Sequence, residues 1–279
     1  MDLPSKGSII FLARIGYLAK GFIFTSMGLL SALAAFQGGR GASDSRGAIR
    51  AIVQQPFGRV LLLAVIAGLV SYVCWRIVAA IGDLEKKGSD AKGLALRARM
   101  LFAAGIYSGV TAAAVKTLMG ASSRGGGDKM ARDWTERAMA APFGSWLVAL
   151  IGAGFVVGGL YQCFRAYRGA FEKKLELSAV GARARRWLLR VCAFGLSARG
   201  LVFCIAGLFL VQAGLHSDPS QARGLGGALN SLQAQLYGRF LFGIVAAGLA
   251  AYGIYCAVRA RSAHFGERQS ELKQTPGPI

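Results

Sequence analysis

Three basic residues, Lys20, Arg76 and Arg199, lie well inside long apolar stretches of this 279-residue chain. A charged side chain within a membrane-spanning segment is costly to bury, so it marks a candidate functional site by default. Three such cations could together bind an anion or an acidic lipid headgroup. The alternative is that each long side chain extends to the membrane surface, about 9 Å or two helical turns away along its helix.

The residues needed for other membrane chemistry are absent from the same stretches. All 13 Asp and Glu residues lie outside them, which argues against a carboxylate proton relay or a cation-coupled pump. His216 and His264 lie in a loop and in the tail, so paired axial ligands for a membrane haem are missing. The five cysteines show no C-x-x-C spacing, and no phosphate loop, serine triad signature or zinc motif is present. We therefore expect no catalytic residue, no metal and no cofactor, and we do not expect an enzyme.

Composition places the chain among integral membrane proteins. It is 54% hydrophobic and only 16% charged, which is too apolar for a soluble domain. A helix needs about 20 apolar residues to cross the hydrocarbon layer of a membrane. Six runs have about this length: 15–36, 57–82, 100–118, 143–164, 189–213 and 238–258.

The chain contains the same pair of apolar runs three times. Residues 15–21 align with 194–200, so Lys20 and Arg199 occupy equivalent positions, whereas Ala104 replaces this cation in the middle copy. The second run of each copy begins with Pro-Phe-Gly or, in the third copy, Leu-Tyr-Gly. Ten residues after this unit comes a glycine, and seven residues later an aromatic residue: Gly68 and Trp75, Gly154 and Tyr161, Gly248 and Tyr255.

The G-[YL]-x-A-[KR]-G and P-F-G units, repeated in this way, resemble the uncharacterised bacterial membrane family catalogued as domain of unknown function 1206. The resemblance covers nearly the whole chain, from about residue 12 to residue 260. It implies the architecture and a membrane location, and it implies nothing catalytic. The first helix of the middle copy departs from the family pattern.

We predict an all-α membrane protein, with six transmembrane helices in a single integral membrane domain of three tandem hairpins. The repeats span about 12–82, 97–168 and 189–260. All hairpins share one orientation because each contains two helices, and they form either a pseudo-threefold bundle around an axis or a linear array. Small residues let membrane helices approach closely. We therefore assign helix packing to eight glycines: Gly21, Gly28, Gly105, Gly109, Gly154, Gly158, Gly200 and Gly207.

A short amphipathic segment precedes the second run of each copy. In the first copy Ile49, Ile52 and Val53 have helical spacing, which predicts one or two helical turns lying in the membrane interface. Pro56 is then expected at the first position of the following helix, where its missing N–H is harmless. Phe57 and its equivalents, Phe143 and Tyr237, are expected at the level of the aromatic belt.

The formal charge of +20 follows the predicted topology. Of the 33 Lys and Arg residues, 19 lie in the two tails and the loops between repeats, and 11 lie in the loops within repeats. The positive-inside rule then predicts cytoplasmic termini in a bacterial inner membrane. The cluster at 183–186 is expected to attract anionic headgroups. Because orientation accounts for the charge, we do not expect nucleic acid as a partner.

The sequence therefore predicts a polytopic membrane protein without giving its biochemical activity. The first interpretation is a structural or accessory membrane protein that interacts with lipids, anionic ones included, or with another membrane protein complex. The second is a small transporter or channel for an anionic or amphiphilic solute, by analogy with other tandem-repeat architectures. A third class, an enzyme of lipid chemistry, has no motif to support it.

The topology leads to a direct prediction. Reporter fusions that are active only in the periplasm should be active after residues 44, 128 and 220, and inactive after residues 90 and 270. The physical reason is the excess of Lys and Arg on the side of the two tails. The opposite activity pattern contradicts the topology.

Overall fold

The computed structural model describes residues 6–36, 45–83, 88, 90–120, 127–172, 175, 181–233 and 238–262. Over these ranges the chain is helical and contains no strand. The α-helices are α1 (Lys6–Phe36), α2 (Ser45–Val53), α3 (Gly58–Ile81), α4 (Ala91–Leu118), α5 (Gly127–Met139), α6 (Gly144–Tyr167), α7 (Ala182–His216), α8 (Leu225–Gln233) and α9 (Gly238–Arg261). Helices α2, α5 and α8 are short, and the other six are long.

The six long helices can each cross a membrane, with apolar spans of 22 to 35 residues that contain no Asp or Glu. The all-α membrane fold predicted from the sequence is confirmed, and the chain is a multi-pass membrane protein. Three helices begin earlier than the apolar runs: α1 at Lys6, α4 at Ala91 and α7 at Ala182. The basic run at 183–186 is therefore part of α7, as an extension of the spanning helix.

The long helices form a ring in chain order. Helix α1 packs on α3, α3 on α4, α6 on α7, α7 on α9, and α9 returns to α1. The sixth neighbouring pair, α4 and α6, packs much less closely, although the Phe102 and Phe155 rings meet across it with centroids 5.7 Å apart. The three hairpins therefore surround a common axis, and the second hairpin is splayed.

Glycine allows close packing within the first and third hairpins. A Cβ added at Gly68 on α3 would lie only 2.4 Å from the Cβ of Ala19 on α1. The equivalent distance in the third hairpin, from Gly248 to Ala198, is 2.3 Å. These values are below any real contact distance, so each helix pair requires glycine at this position. The equal distances reflect the sequence repeat in three dimensions.

Glycine also allows close packing between repeats. A Cβ added at Gly21 on α1 would lie 2.8 Å from the Gly253 carbonyl oxygen on α9, and one at Gly200 on α7 would lie 2.8 Å from the Gly159 oxygen on α6. Gly28 and Gly207 make equally close contacts two turns further along the same interfaces. The helix contact predicted for these four glycines, Gly21, Gly28, Gly200 and Gly207, is present.

The same prediction was wrong for Gly105, Gly154 and Gly158 of the middle repeat. A Cβ added at Gly105, Gly154 or Gly158 would have no neighbour within 4 Å in the described part of the chain. Gly109 faces the side chain of Met130 on the short helix α5, at 2.6 Å, and not a spanning helix. The physical reason is the splayed second hairpin, in which α4 and α6 do not meet closely enough to need small residues.

The three short helices pack on the outer end of the ring, which we define as the end that carries α2, α5 and α8. The inner end carries the start of α1 and the end of α9. Ile49 and Ile52 of α2 are buried against Leu62 of α3 and Ala114 of α4. Leu229 of α8 is also buried, whereas Trp134 of α5 is 62% exposed. These segments are helical as predicted, but α2 and α8 cover the ring itself and do not merely lie in the interface.

The Pro-Phe-Gly unit forms a turn that the sequence did not predict. The spanning helix α3 begins at Gly58. Pro56 was expected to be the first residue of this helix, but it precedes the helix by two residues. Phe57 has a left-handed conformation with φ 60°, and the Gly58 N–H donates to the Gln55 carbonyl at 2.8 Å. This is the pattern of a type II turn, with proline in its second position. The second copy repeats it at 142–144, with φ 61°.

The turn exposes its phenylalanine. Phe57 is 86% exposed and Phe143 is 84% exposed, where a ring at the outer end of a span can contact the interface. A left-handed conformation costs an L-residue about 1–2 kcal/mol. Tyr237, the third member of this predicted aromatic belt, lies outside the described residues.

The close glycine contacts lead to a paired prediction. Gly21→Leu and Gly200→Leu should each lower stability by about 1–3 kcal/mol or prevent assembly, because the larger side chain meets backbone atoms. Thermal unfolding in detergent measures the effect. Gly105→Leu is the matched control and should unfold close to wild type, since its side chain meets open space. Wild-type stability of both interface variants contradicts the packing described above.

Candidate anion-binding site

The centre of the ring contains a polar cluster to which every long helix contributes one side chain. Its members are Lys20 of α1, Tyr72 of α3, Tyr107 of α4, Gln162 of α6, Arg199 of α7 and Tyr252 of α9. The cluster thus depends on the arrangement of all three repeats around one axis, because no single repeat contains all six side chains.

Lys20 is enclosed by three tyrosine rings. Its ammonium nitrogen lies 5.0 Å from the ring centroid of Tyr72, 4.9 Å from that of Tyr107 and 5.6 Å from that of Tyr252. It also donates a hydrogen bond of 3.3 Å to the Tyr72 hydroxyl. We call these three rings the aromatic cage. Each cation–π contact of this kind contributes about 2 kcal/mol when the site is free of water.

This geometry corrects the surface-reaching interpretation for Lys20. The side chain is only 4% exposed and points into the ring, not to a membrane surface. The apolar span of α1 also begins at Ile10, so Lys20 lies about 15 Å from that end and not about 9 Å. A lysine side chain extends too short a distance to leave such a position.

Arg199 contacts the same Tyr252 ring. Its guanidinium carbon is 4.9 Å from the Tyr252 ring centroid, 4.1 Å from that of Phe203 and 5.9 Å from that of Phe24. One of its terminal nitrogens donates to the side-chain oxygen of Gln162. Its Nε is buried and has no hydrogen-bond partner among the residues that the structure describes. Lys20 and Arg199 therefore both contact Tyr252, and part of the guanidinium remains unsatisfied.

Arg76 joins the cluster through Tyr72. Its Nε donates to the Tyr72 hydroxyl at 3.0 Å, and its guanidinium carbon lies 4.8 Å from the Trp75 ring centroid. A phenolic oxygen can accept two hydrogen bonds, so it accepts one from Lys20 and one from Arg76. The three cations singled out in the sequence are thus connected in space, through Tyr72 and Tyr252.

The cluster has positively charged side chains and no negatively charged ones. The six spans contain no Asp or Glu, so no carboxylate within them can neutralise these cations. Ring faces and neutral oxygens provide partial negative charge, which is weaker than a formal anion. In the described part of the chain no three His, Cys, Asp or Glu side chains are grouped to hold a metal ion. The chemistry of this donor set suits an anion.

The aromatic members of the cluster were missed in the sequence, although a signal for two of them existed. Tyr72 follows the aligned Gly68 by four residues, and Tyr252 follows Gly248 by four residues, so the two tyrosines are equivalent. In the same alignment Gln162 takes the position of Arg76. Tyr107 has no counterpart in the other repeats, and only the packing of α4 on α3 and of α3 on α1 brings it to Lys20.

The fold and the site define a multi-pass membrane protein made of three helical hairpins around a buried cationic centre. The chain belongs to the family described as Domain of Unknown Function (DUF1206), which it matches three times, at residues 15–83, 98–169 and 194–263. It is also similar to the uncharacterized protein YxxB of Bacillus subtilis (strain 168), with 34% identity over 251 residues, or 90% of each chain. No solved structure matches the chain. The family resemblance inferred from the sequence is confirmed.

The unsatisfied guanidinium leads to a prediction about stability. Gln162→Glu should raise the unfolding temperature of protein stripped of bound ligand, because a carboxylate would pair with Arg199. A hydrogen bond to a charged group contributes about 1.5–3 kcal/mol. Gln212→Glu, exposed near the outer end of α7, is the control and should change the unfolding temperature little. A destabilised Gln162→Glu variant indicates that Arg199 needs no anion.

Proposed function

We propose that this protein is an accessory protein of the bacterial inner membrane that binds an anionic ligand in its buried cationic centre. The ligand carries a phosphate or carboxylate group, either as a lipid headgroup or as a free anion. The protein binds this ligand and does not transform it. Both termini are proposed to be cytoplasmic, because the tails and the loops between repeats carry most of the Lys and Arg residues.

One observation carries the proposal: Lys20 and Arg199 converge on Tyr252 in the interior of a spanning bundle without a carboxylate in any span. A buried cation that lacks an anionic partner is expensive, by at least about 2.5 kcal/mol at the centre of a membrane helix. An anion between the two side chains removes this cost. It also offers an acceptor to the unpaired Nε of Arg199.

A purely structural role for the cations is less well supported. Well-packed apolar side chains often stabilise a protein as much as a buried ionic group does. Stability alone therefore gives little reason to keep Lys20 and Arg199 in equivalent positions of two repeats while the third has alanine. Ligand binding provides such a reason, because it requires the charges themselves.

The basic start of α7 supports contact with anionic lipid at the inner end. Arg183, Arg186 and Arg190 lie on one face of this helix and, with Trp187, line an open pocket of about 200 Å³. Trp187 is 62% exposed, and such a ring is typical of the membrane interface. Each arginine near an anionic surface contributes about 1 kcal/mol of attraction.

Transport of an anionic or amphiphilic solute is the alternative function. It is favoured by the position of the cluster, in which all six spanning helices meet within the bundle, as substrate sites do in repeat-built transporters. Flux of radiolabelled phosphate into proteoliposomes tests it. Flux that is lost in Arg199→Met indicates a transporter, and flux equal to that of protein-free vesicles indicates the accessory role.

Binding measurements on two variants test the main proposal. Lys20→Met and Arg199→Met should each weaken the binding of inorganic phosphate, phosphatidylglycerol or both by about 10- to 100-fold. This is the effect expected for the loss of one charge-assisted hydrogen bond. Native mass spectrometry and ligand-induced thermal shifts give the two readouts. Arg59→Met, an exposed arginine at the outer end of α3, is the control and should bind like wild type.

The same variants separate binding from structural support. In ligand-free detergent, Lys20→Met should remain folded, because the loss of its cation–π contacts is offset by the removal of an unneutralised buried charge. If both variants bind phosphate and phosphatidylglycerol as tightly as wild type, the centre is not an anion site and the proposal fails.

A further inference from the structure

The second hairpin leaves the ring open on one side. Between α4 and α6, which we call the α4–α6 gap, the helices meet mainly through the Phe102 and Phe155 rings. Phe102 is 47% exposed, so this ring pair borders the surface that faces lipid. The other five interfaces of the ring are closely packed. The gap is therefore the one side of the described ring through which a molecule could reach the centre without separating packed helices.

A face of α6 without side chains borders this gap. Gly154, Gly158 and Gln162 follow one another at intervals of four residues and lie on one face of the helix. An added Cβ at either glycine would have no neighbour within 4 Å, whereas Gly152 and Gly159 on another face are packed against α7. This glycine stripe is about 12 Å long from Gly154 to Gln162. It ends at the side chain that accepts a hydrogen bond from Arg199.

The sequence of the middle repeat accounts for this open face. Gly158 occupies the position at which the other two repeats have Tyr72 and Tyr252. Tyr161, two turns from Gly154, is 50% exposed, whereas its equivalent Trp75 is 2% exposed. The middle repeat thus lacks the central tyrosine and the packed aromatic residue of its neighbours, and the missing ring leaves room for a slender apolar group.

Aromatic contacts connect the gap to the cationic centre. Phe102 contacts Phe155, Phe155 contacts Phe203 with centroids 5.5 Å apart, and Phe203 lies 4.1 Å from the guanidinium carbon of Arg199. An apolar surface therefore continues from the outside of the bundle to a buried cation. A free inorganic anion does not need such a surface, whereas an amphiphile with a charged head and an apolar chain does.

We propose that the α4–α6 gap admits an anionic phospholipid sideways, with its phosphate at Arg199 and Lys20 and one acyl chain along the glycine stripe. This inference rests on the proposed function and adds the class of ligand and its route. In this orientation the whole lipid lies in the leaflet at the inner end of the ring. Gln162 is five residues from the inner end of α6 and the glycines lie deeper, so the headgroup faces the inner end and the chain runs towards the bilayer centre.

Filling the stripe tests the route. The double variant Gly154→Leu, Gly158→Leu should weaken binding of phosphatidylglycerol at least 10-fold and leave binding of inorganic phosphate unchanged. The leucines meet open space, so the fold is retained, as size-exclusion chromatography and thermal unfolding check. Ala153→Leu, at an exposed position of α6 away from the glycine stripe, is the control and should bind both probes like wild type. Wild-type binding of phosphatidylglycerol by the filled variant overturns the route.

The outcomes separate the route from the proposed function. Wild-type protein that binds phosphate but not phosphatidylglycerol overturns the lipid and leaves the anion site intact. Protein that binds neither probe overturns both. If filling the stripe converts a dimer into a monomer without changing lipid binding, a second copy of this chain covers the stripe and the lipid proposal is wrong.

A second measurement needs no variant. Phosphatidylglycerol with a photoactivatable diazirine in one acyl chain should label wild-type peptides of α4 and α6 around Phe102 and Gly154–Gln162. Excess unlabelled phosphatidylglycerol should reduce this labelling, and phosphatidylcholine should reduce it less, because its headgroup carries no net negative charge. Equal labelling of all six long helices overturns the proposal.

Discussion

The constraint that organises this structure is that two cations inside the bundle, Lys20 and Arg199, contact the faces of tyrosine rings from different helices. Lys20 and Arg199 share Tyr252, and the spans contain no acidic residue to neutralise them. Such contacts require the helices to approach closely, because ring faces attract a cation only at short range. The glycines at the α1–α9 and α6–α7 interfaces allow this approach. Helix packing and site electrostatics are therefore parts of one arrangement.

The site arises because the middle repeat differs from the other two at the central positions. The first and third repeats provide equivalent cations and equivalent tyrosines, which alone would give a symmetric, fully packed centre. The middle repeat has Ala104 and Gly158 at these positions, and its helices stand apart. It contributes Gln162 and Tyr107 instead, one to each cation. The departure from symmetry creates both the unsatisfied guanidinium and the opening beside it.

Much of the fold could be predicted from residue type and spacing. Apolar length, the absence of acidic residues and the threefold repeat gave the six helices, and glycine spacing gave the packing at Gly21 and Gly200. The Pro-Phe-Gly turn could not be predicted, because Phe57 adopts a left-handed conformation that its residue type disfavours. Its geometry depends on the backbone of the preceding short helix, which a local pattern does not reveal.

For this protein the sequence by itself determined the class, the repeats and the three candidate cations, because these depend on composition and on periods along one helix. Only the tertiary structure decided where the cations point. Lys20 lies inside the ring because α3, α4 and α9 bring three tyrosines to it, from positions 52, 87 and 232 residues away along the chain. The open second hairpin could not be predicted from the sequence either. Gly154 and Gly158 have the spacing of packed glycines and differ from them only in having no neighbouring helix against them.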